Sequence, residues 1–171
     1  MSVLTVGTPS RPTKLNPGLG GVAVIVAATA LVAALGGIVT APAVDGWYRA
    51  LSKPAWTPPD WVFGPVWTVL YAMMAVAASV VWVARDRDDV CGPLSAFGAQ
   101  LVLNLTWSIC FFGLKSPLLG FLDISLLWLV VGVTTAEFFL VSRLAGLLML
   151  PYFLWVTFAA ALNAAIVVLG G

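Results

Sequence analysis

The sequence has no histidine, only two cysteines and few charges, and each scarcity closes off a class of function. Without imidazole there is no His-ligated haem or zinc site and no histidine general base. Cys91 and Cys110 stand too far apart for a CxxC motif and have no histidine to complete a metal site. Lys, Arg, Asp and Glu together make up 9% of the 171 residues, against about 25% in an ordinary soluble domain. The net charge of +1 gives no basic patch for nucleic acid. No run alternates apolar and polar with period two, which argues against a transmembrane β-barrel.

What is plentiful is hydrocarbon: 61% of the residues are apolar, and the mean hydropathy is +1.05. A helix that crosses a bilayer needs roughly 20 mostly apolar residues. Charge-free stretches separated by charged boundaries predict five transmembrane helices, over about 19–40, 62–84, 92–113, 118–141 and 146–169. The fourth stretch contains Asp123 and Glu137, but each lies near an end, where an acid can snorkel or pair at an interface. Glu137 is expected to share a membrane face with Arg143. The first span has a rival reading, because Arg11 and Lys14 precede it and Ala41-Pro42-Ala43 resembles a signal-peptide cleavage site. Its length exceeds the usual apolar region of about 7–15 residues, so it is read as a retained helix. Residues 1–17 are expected to form a mobile, Pro-containing tail, and 18–171 a single domain. Arg11, Lys14, Arg85, Arg87 and Arg143 on one face, against Arg49, Lys53 and Lys115 on the other, favour a cytoplasmic N-terminus. Short later connections force neighbouring helices antiparallel.

The first connection, roughly Ala41 to Asp60, is the long one, and it holds the segment GWYRALSKPAWTPPDWVFGPVWTVLY. Pro54, Pro58 and Pro59 forbid a continuous helix there. With Trp47 and Trp61 they could form a stiff lid over the mouth of the bundle. The alternative is an aromatic belt, with the indoles acting only as headgroup-level anchors.

Other polar and aromatic residues fall on helical faces. Gln100, Asn104, Trp107 and Phe111 share one side of the third span; Tyr152, Trp155, Ala159 and Asn163 share one side of the fifth; Trp67, Tyr71 and Met74 share one side of the second. Amides are costly in lipid, so Gln100, Asn104 and Asn163 should face inward. There they serve either as interhelical hydrogen-bonding glue or as the polar points of an indole-lined cavity for a flat, largely apolar ligand.

These residues also carry a resemblance. Trp47-Tyr48, Lys53-Pro54, Trp56, Pro58-Pro59, Trp61-Val62, Gly64, Trp67 and Leu70-Tyr71 resemble the signature of the TspO/translocator protein family, the tryptophan-rich sensory proteins or peripheral benzodiazepine receptors. The match continues through Gln100-Leu101, Asn104, Trp107 and Phe111-Phe112-Gly113, and through Pro151-Tyr152, Trp155, Phe158 and Leu162-Asn163, from about Gly21 onward. The resemblance implies a five-helix membrane protein, usually a homodimer, with a pocket in each protomer closed by the first loop. It implies porphyrin or haem as ligand rather than as a required cofactor, with sterol and benzodiazepine-type molecules as further ligands of relatives. It places Trp56, Trp67, Asn104, Trp107 and Trp155 at pocket positions, and makes Trp67 and Trp155 the two indoles of a light- and oxygen-dependent porphyrin degradation seen in some relatives. The basic sterol-recognition pattern of animal members is absent from the end of the fifth span, Val167-Val168-Leu169-Gly170-Gly171.

Three functions follow as expectations. The first is a binder of tetrapyrrole-type molecules acting as sensor, carrier or scavenger in a membrane, the cytoplasmic one if the source is bacterial. The second is a porphyrin-degrading activity, although the sequence holds no acid–base dyad, nucleophile or metal constellation. The third is a small-molecule transporter, which lacks support from inverted repeats or mid-span charge. Small-xxx-small pairs such as Ala23/Ala27, Ala30/Ala34 and Ser95/Ala99 are candidate dimer faces.

Overall fold

Pro17, which has no backbone N–H to leave unpaired, opens the first helix of a computed structural model that describes residues 17–86 and 88–170. The expected tail lies, apart from Pro17, outside the described residues, as does Arg87. Helix α1 runs Pro17–Ala43 and passes straight through the cleavage-like Ala41-Pro42-Ala43. Near its start, Gly21 lies flat on the Trp82 indole; a Cβ there would be 2.0 Å from the ring, so only glycine allows the approach. Trp82 fastens the contact by donating its Nε1–H to Gly18 O at 3.1 Å.

The expected loop from 41 to 60 is corrected by the structure. The chain relaxes into a π turn, Val44–Tyr48, and stays helical to Ala50. Pro42 removes one rung of the helical ladder, and a π turn absorbs such a misfit without ending the helix. Lys53 then closes it. Its Nζ donates to the carbonyls of Tyr48 at 2.6 Å, Arg49 at 3.2 Å and Leu51 at 3.3 Å, a cation on the negative end of a helix. The same ammonium sits 4.7 Å from the Tyr48 ring centre. Pro54 blocks continuation, so the loop proper is 51–59.

A 3-10 turn, Asp60–Val62, leads into α2, Phe63–Val83. Helix α3, Cys91–Ser108, extends through a second π turn, Ile109–Gly113. Ser116 caps α4, Pro117–Val141, by accepting from Leu119 N at 3.3 Å, with Pro117 in the first turn. Ser142, in an extended conformation, stops α4 and caps α5, Arg143–Val168. All five helices are long and apolar enough to cross a bilayer. They pack in a ring ordered α1–α2–α5–α4–α3, with α3 closing back on α1.

The ring is solid on the side of the N-terminus and open on the other. Met74, Ala77, Ala78, Val81, Phe97, Val131, Phe138 and Met149 fill the first half, and Phe97 stacks on Phe138 at 5.9 Å and 24°. Glu137 belongs to this half, but among the described residues no ion pair joins it to Arg143. Its Oε1 lies 3.9 Å from where a Cβ of Gly92 would be, beside the first turn of α3, whose positive end favours an acid.

Candidate ligand-binding cavity

Four helices turn a small-and-aromatic face toward a common space of about 550 Å³ in the open half of the ring. The faces follow from helical periodicity. Phe63, Gly64, Trp67, Thr68 and Tyr71 come from α2; Asn104, Trp107 and Ser108 from α3, and Phe111 and Phe112 from its π turn. Ala159, Leu162, Asn163 and Ile166 come from α5. Helix α1 supplies Ala33, Gly36, Gly37, Thr40 and Ala41, whose small size leaves the volume empty. Val44, Tyr48 and Asp60 border the mouth.

The rings form a continuous series. Tyr71 and Trp67 lie 5.8 Å apart at 37°, Trp67 and Trp107 6.1 Å apart at 34°, and Trp107 and Phe111 5.7 Å apart at 24°. Such tilted and stacked faces present flat π surface to a guest. Gly120 of α4 permits the last of these, because a Cβ there would stand 2.8 Å from the Phe111 ring and 3.0 Å from Asn163 Oδ1.

A polar floor holds the wall in place. Tyr71 Oη donates to Asn104 Oδ1, Asn104 Nδ2 donates to Tyr152 Oη at 2.9 Å, and Tyr152 Oη donates to Gln100 Oε1 at 2.9 Å. Gln100 Nε2 ends the chain on Met74 Sδ at 3.8 Å. Beside it, Trp107 Nε1 donates to Asn163 Oδ1 at 3.3 Å, and Asn163 Nδ2 donates to Pro117 O at 2.8 Å. Each amide thereby gains partners that lipid could not supply. At the mouth, burial and the Asp60 carboxylate push the Tyr48 phenol up to about 12. Arg49 Nε donates to Asp60 Oδ2 at 3.2 Å, tying the helical extension of α1 to the start of α2.

The sequence profile of the TspO/MBR family matches residues 23–169. Tryptophan-rich protein TspO of Chlorobaculum tepidum is 48% identical over 118 residues, covering 68% of this chain and 75% of that one. Its namesake from Archaeoglobus fulgidus is 43% identical over 134 residues, 78% of this chain and 86% of that one. The translocator protein of Sus scrofa is 35% identical over 139 residues, 78% of this chain and 82% of that one. The chain belongs to the TspO/MBR family. It is an integral, multi-pass membrane protein of that family, as the five spanning helices require.

Against this TspO/MBR frame, the expected site residues divide by position. Trp67, Tyr71, Asn104, Trp107, Phe111, Ala159 and Asn163 line the cavity. Gln100 and Tyr152 stand behind it as the floor's second layer, both fully buried. Trp56 and Trp155 are elsewhere: Trp155 packs on Phe63 at 5.9 Å and Phe158 at 5.4 Å, and Trp56 on Phe158 at 5.7 Å. Among the described residues, Trp155 Nε1 finds no hydrogen-bond partner in that buried position. Ring contacts run from Trp155 through Phe63, Tyr48, Phe111 and Trp107 to Trp67, so the two indoles linked to porphyrin degradation are joined through intervening rings. Among the expected lid residues, Pro54, Pro58 and Pro59 do not line the cavity, Trp61 is 75% exposed, and Trp47 packs on Phe111 at 5.6 Å. Sequence reasoning missed the α1 wall and the Tyr48, Asp60 and Phe63 border. A signal for the first existed in the i, i+3, i+4, i+7 spacing of Ala33, Gly36, Gly37 and Thr40, small residues along one helix face.

Proposed function

We propose that this TspO/MBR protein binds planar, largely apolar tetrapyrrole-type molecules inside the bilayer, as a sensor, carrier or scavenger. The observation that carries the reading is the series of rings from Tyr71 through Trp67 and Trp107 to Phe111 along one wall of a cavity of about 550 Å³. That volume falls within the roughly 300–1,000 Å³ of small-molecule sites. Indole faces reward a rigid flat guest over a flexible chain, whose ordering entropy opposes binding. The amides beneath the rings are engaged with protein partners, so they orient the wall and leave the contact with the guest mainly apolar.

The expected homodimer belongs to the same proposal. Ala23, Ala27, Ala30, Ala34, Ser95 and Ala99 are all exposed, which leaves small-residue faces of α1 and α3 open to a second copy in lipid. A bacterial chain of this kind would occupy the cytoplasmic membrane, where all-helical spans are the rule.

Titration of the purified protein with protoporphyrin, followed by tryptophan fluorescence, tests the reading. It predicts saturable quenching that weakens markedly in Trp107→Ala. Absence of saturation, or identical curves for the two proteins, would defeat it.

A further inference from the structure

Building on the ligand reading above, we infer that Asp60 sets the charge selectivity of the cavity, discriminating against guests that bring a carboxylate to its mouth. Among the described residues that line the space, Asp60 is the only aspartate or glutamate, and no lysine or arginine lines it. Arg49 and Lys53, the cations of this connection, stand outside the lining. Arg49 approaches Asp60 from outside the lining, with Nε 3.2 Å from Oδ2. Lys53 spends its ammonium on the carbonyls of Tyr48, Arg49 and Leu51.

Deeper in the cavity an anion fares no better. The Trp107 N–H is given to Asn163, and the Tyr71 hydroxyl is given to Asn104. A carboxylate pushed among the rings would lose its hydration and meet no lysine or arginine in the lining to replace it. A tetrapyrrole acid must therefore hold its carboxylates at the mouth, where they meet Asp60. Like charges several ångströms apart repel by the order of 1 kcal/mol at a protein surface, and salt screens that repulsion. A guest that is neutral or cationic at this edge escapes the penalty.

The test compares protoporphyrin with its dimethyl ester, which share a ring system and differ in charge. Binding of both is measured by tryptophan quenching in uncharged detergent, for the wild type, Asp60→Asn and Arg49→Gln. Asp60→Asn should tighten protoporphyrin roughly three- to tenfold, while the ester stays within about twofold. Arg49→Gln, which unmasks Asp60, should weaken the acid and spare the ester. In the wild type, added salt should improve protoporphyrin binding relative to the ester. This last arm needs no variant and stands even if a substituted protein fails to fold. An acid-to-ester affinity ratio unmoved by salt and by Asp60→Asn would overturn the inference while leaving the cavity reading intact. Failure of the wild type to bind either probe would instead defeat the ligand reading, and this inference with it.

Discussion

Replacing Tyr152 with phenylalanine removes one oxygen and keeps the ring, so it isolates the floor of the cavity from its packing. In the native protein that oxygen accepts from Asn104 Nδ2 and donates to Gln100 Oε1, each at 2.9 Å, and all three residues are at most 1% exposed. The substitution breaks both bonds and leaves a buried N–H and a buried C=O. Interhelical hydrogen bonds within bilayers average about 0.6 kcal/mol and reach about 1.7. A buried group left unpaired costs about 1–3 kcal/mol. The expected loss of stability is therefore about 1–3 kcal/mol. Tyr71→Phe makes the useful contrast. It deletes a single donor, to Asn104, at a wall where a guest or water can compensate, and should cost less than about 1 kcal/mol. Reversible unfolding in mixed detergent micelles, followed by circular dichroism, measures both. If Tyr152→Phe matched the wild type, or if Tyr71→Phe proved the more damaging, the floor would not be the structural element described above.

Other consequences are more local. Lys53→Ala should fray the helix from Val44 to Ala50, speeding amide exchange there and costing about 0.5–1.5 kcal/mol, because its ammonium closes three carbonyls. Gly120→Val should cost roughly 1–3 kcal/mol by overpacking and should also weaken ligand quenching, since it displaces Phe111 and Asn163 from the wall. Tyr48 should stay protonated well above its ordinary pKa of 10.0, ionising only toward about 12. The folded state then holds a proton that the unfolded chain releases, so this group adds nothing below pH 10 and loses stability for the fold between about 10 and 12. Alkaline titration of phenolate absorbance should show one step toward about pH 12, and Tyr48→Phe should remove that step.

The five spans were legible because charges interrupt the apolar runs, and those boundaries fall within a few residues of the helices observed. The faces of α2, α3 and α5 were legible because Trp67, Asn104, Trp107 and Asn163 announce themselves by chemistry and helical spacing. Helix α1 offered only the spacing of its small residues, since alanine and glycine mark a wall by the space they leave. The helix past Pro42 was hidden for a different reason: proline usually stops a helix, and here a π turn lets the chain recover. That misreading concealed Tyr48 and Asp60 as border residues. Trp155 shows a third limit. Spacing places a Cα on a face about a third of the helix wide, whereas side-chain direction decides whether the ring enters the cavity or, as here, packs on Phe63 and Phe158.

Filling the chamber tests its role more directly than emptying it. Ala159 is buried on the cavity wall, and Ala159→Phe would project a ring into a space of about 550 Å³ while removing no hydrogen-bonding side chain. The expected result is a folded protein of unchanged helical content whose saturable quenching by protoporphyrin is lost. Wild-type affinity in that variant, with the fold intact, would show that the guest binds elsewhere.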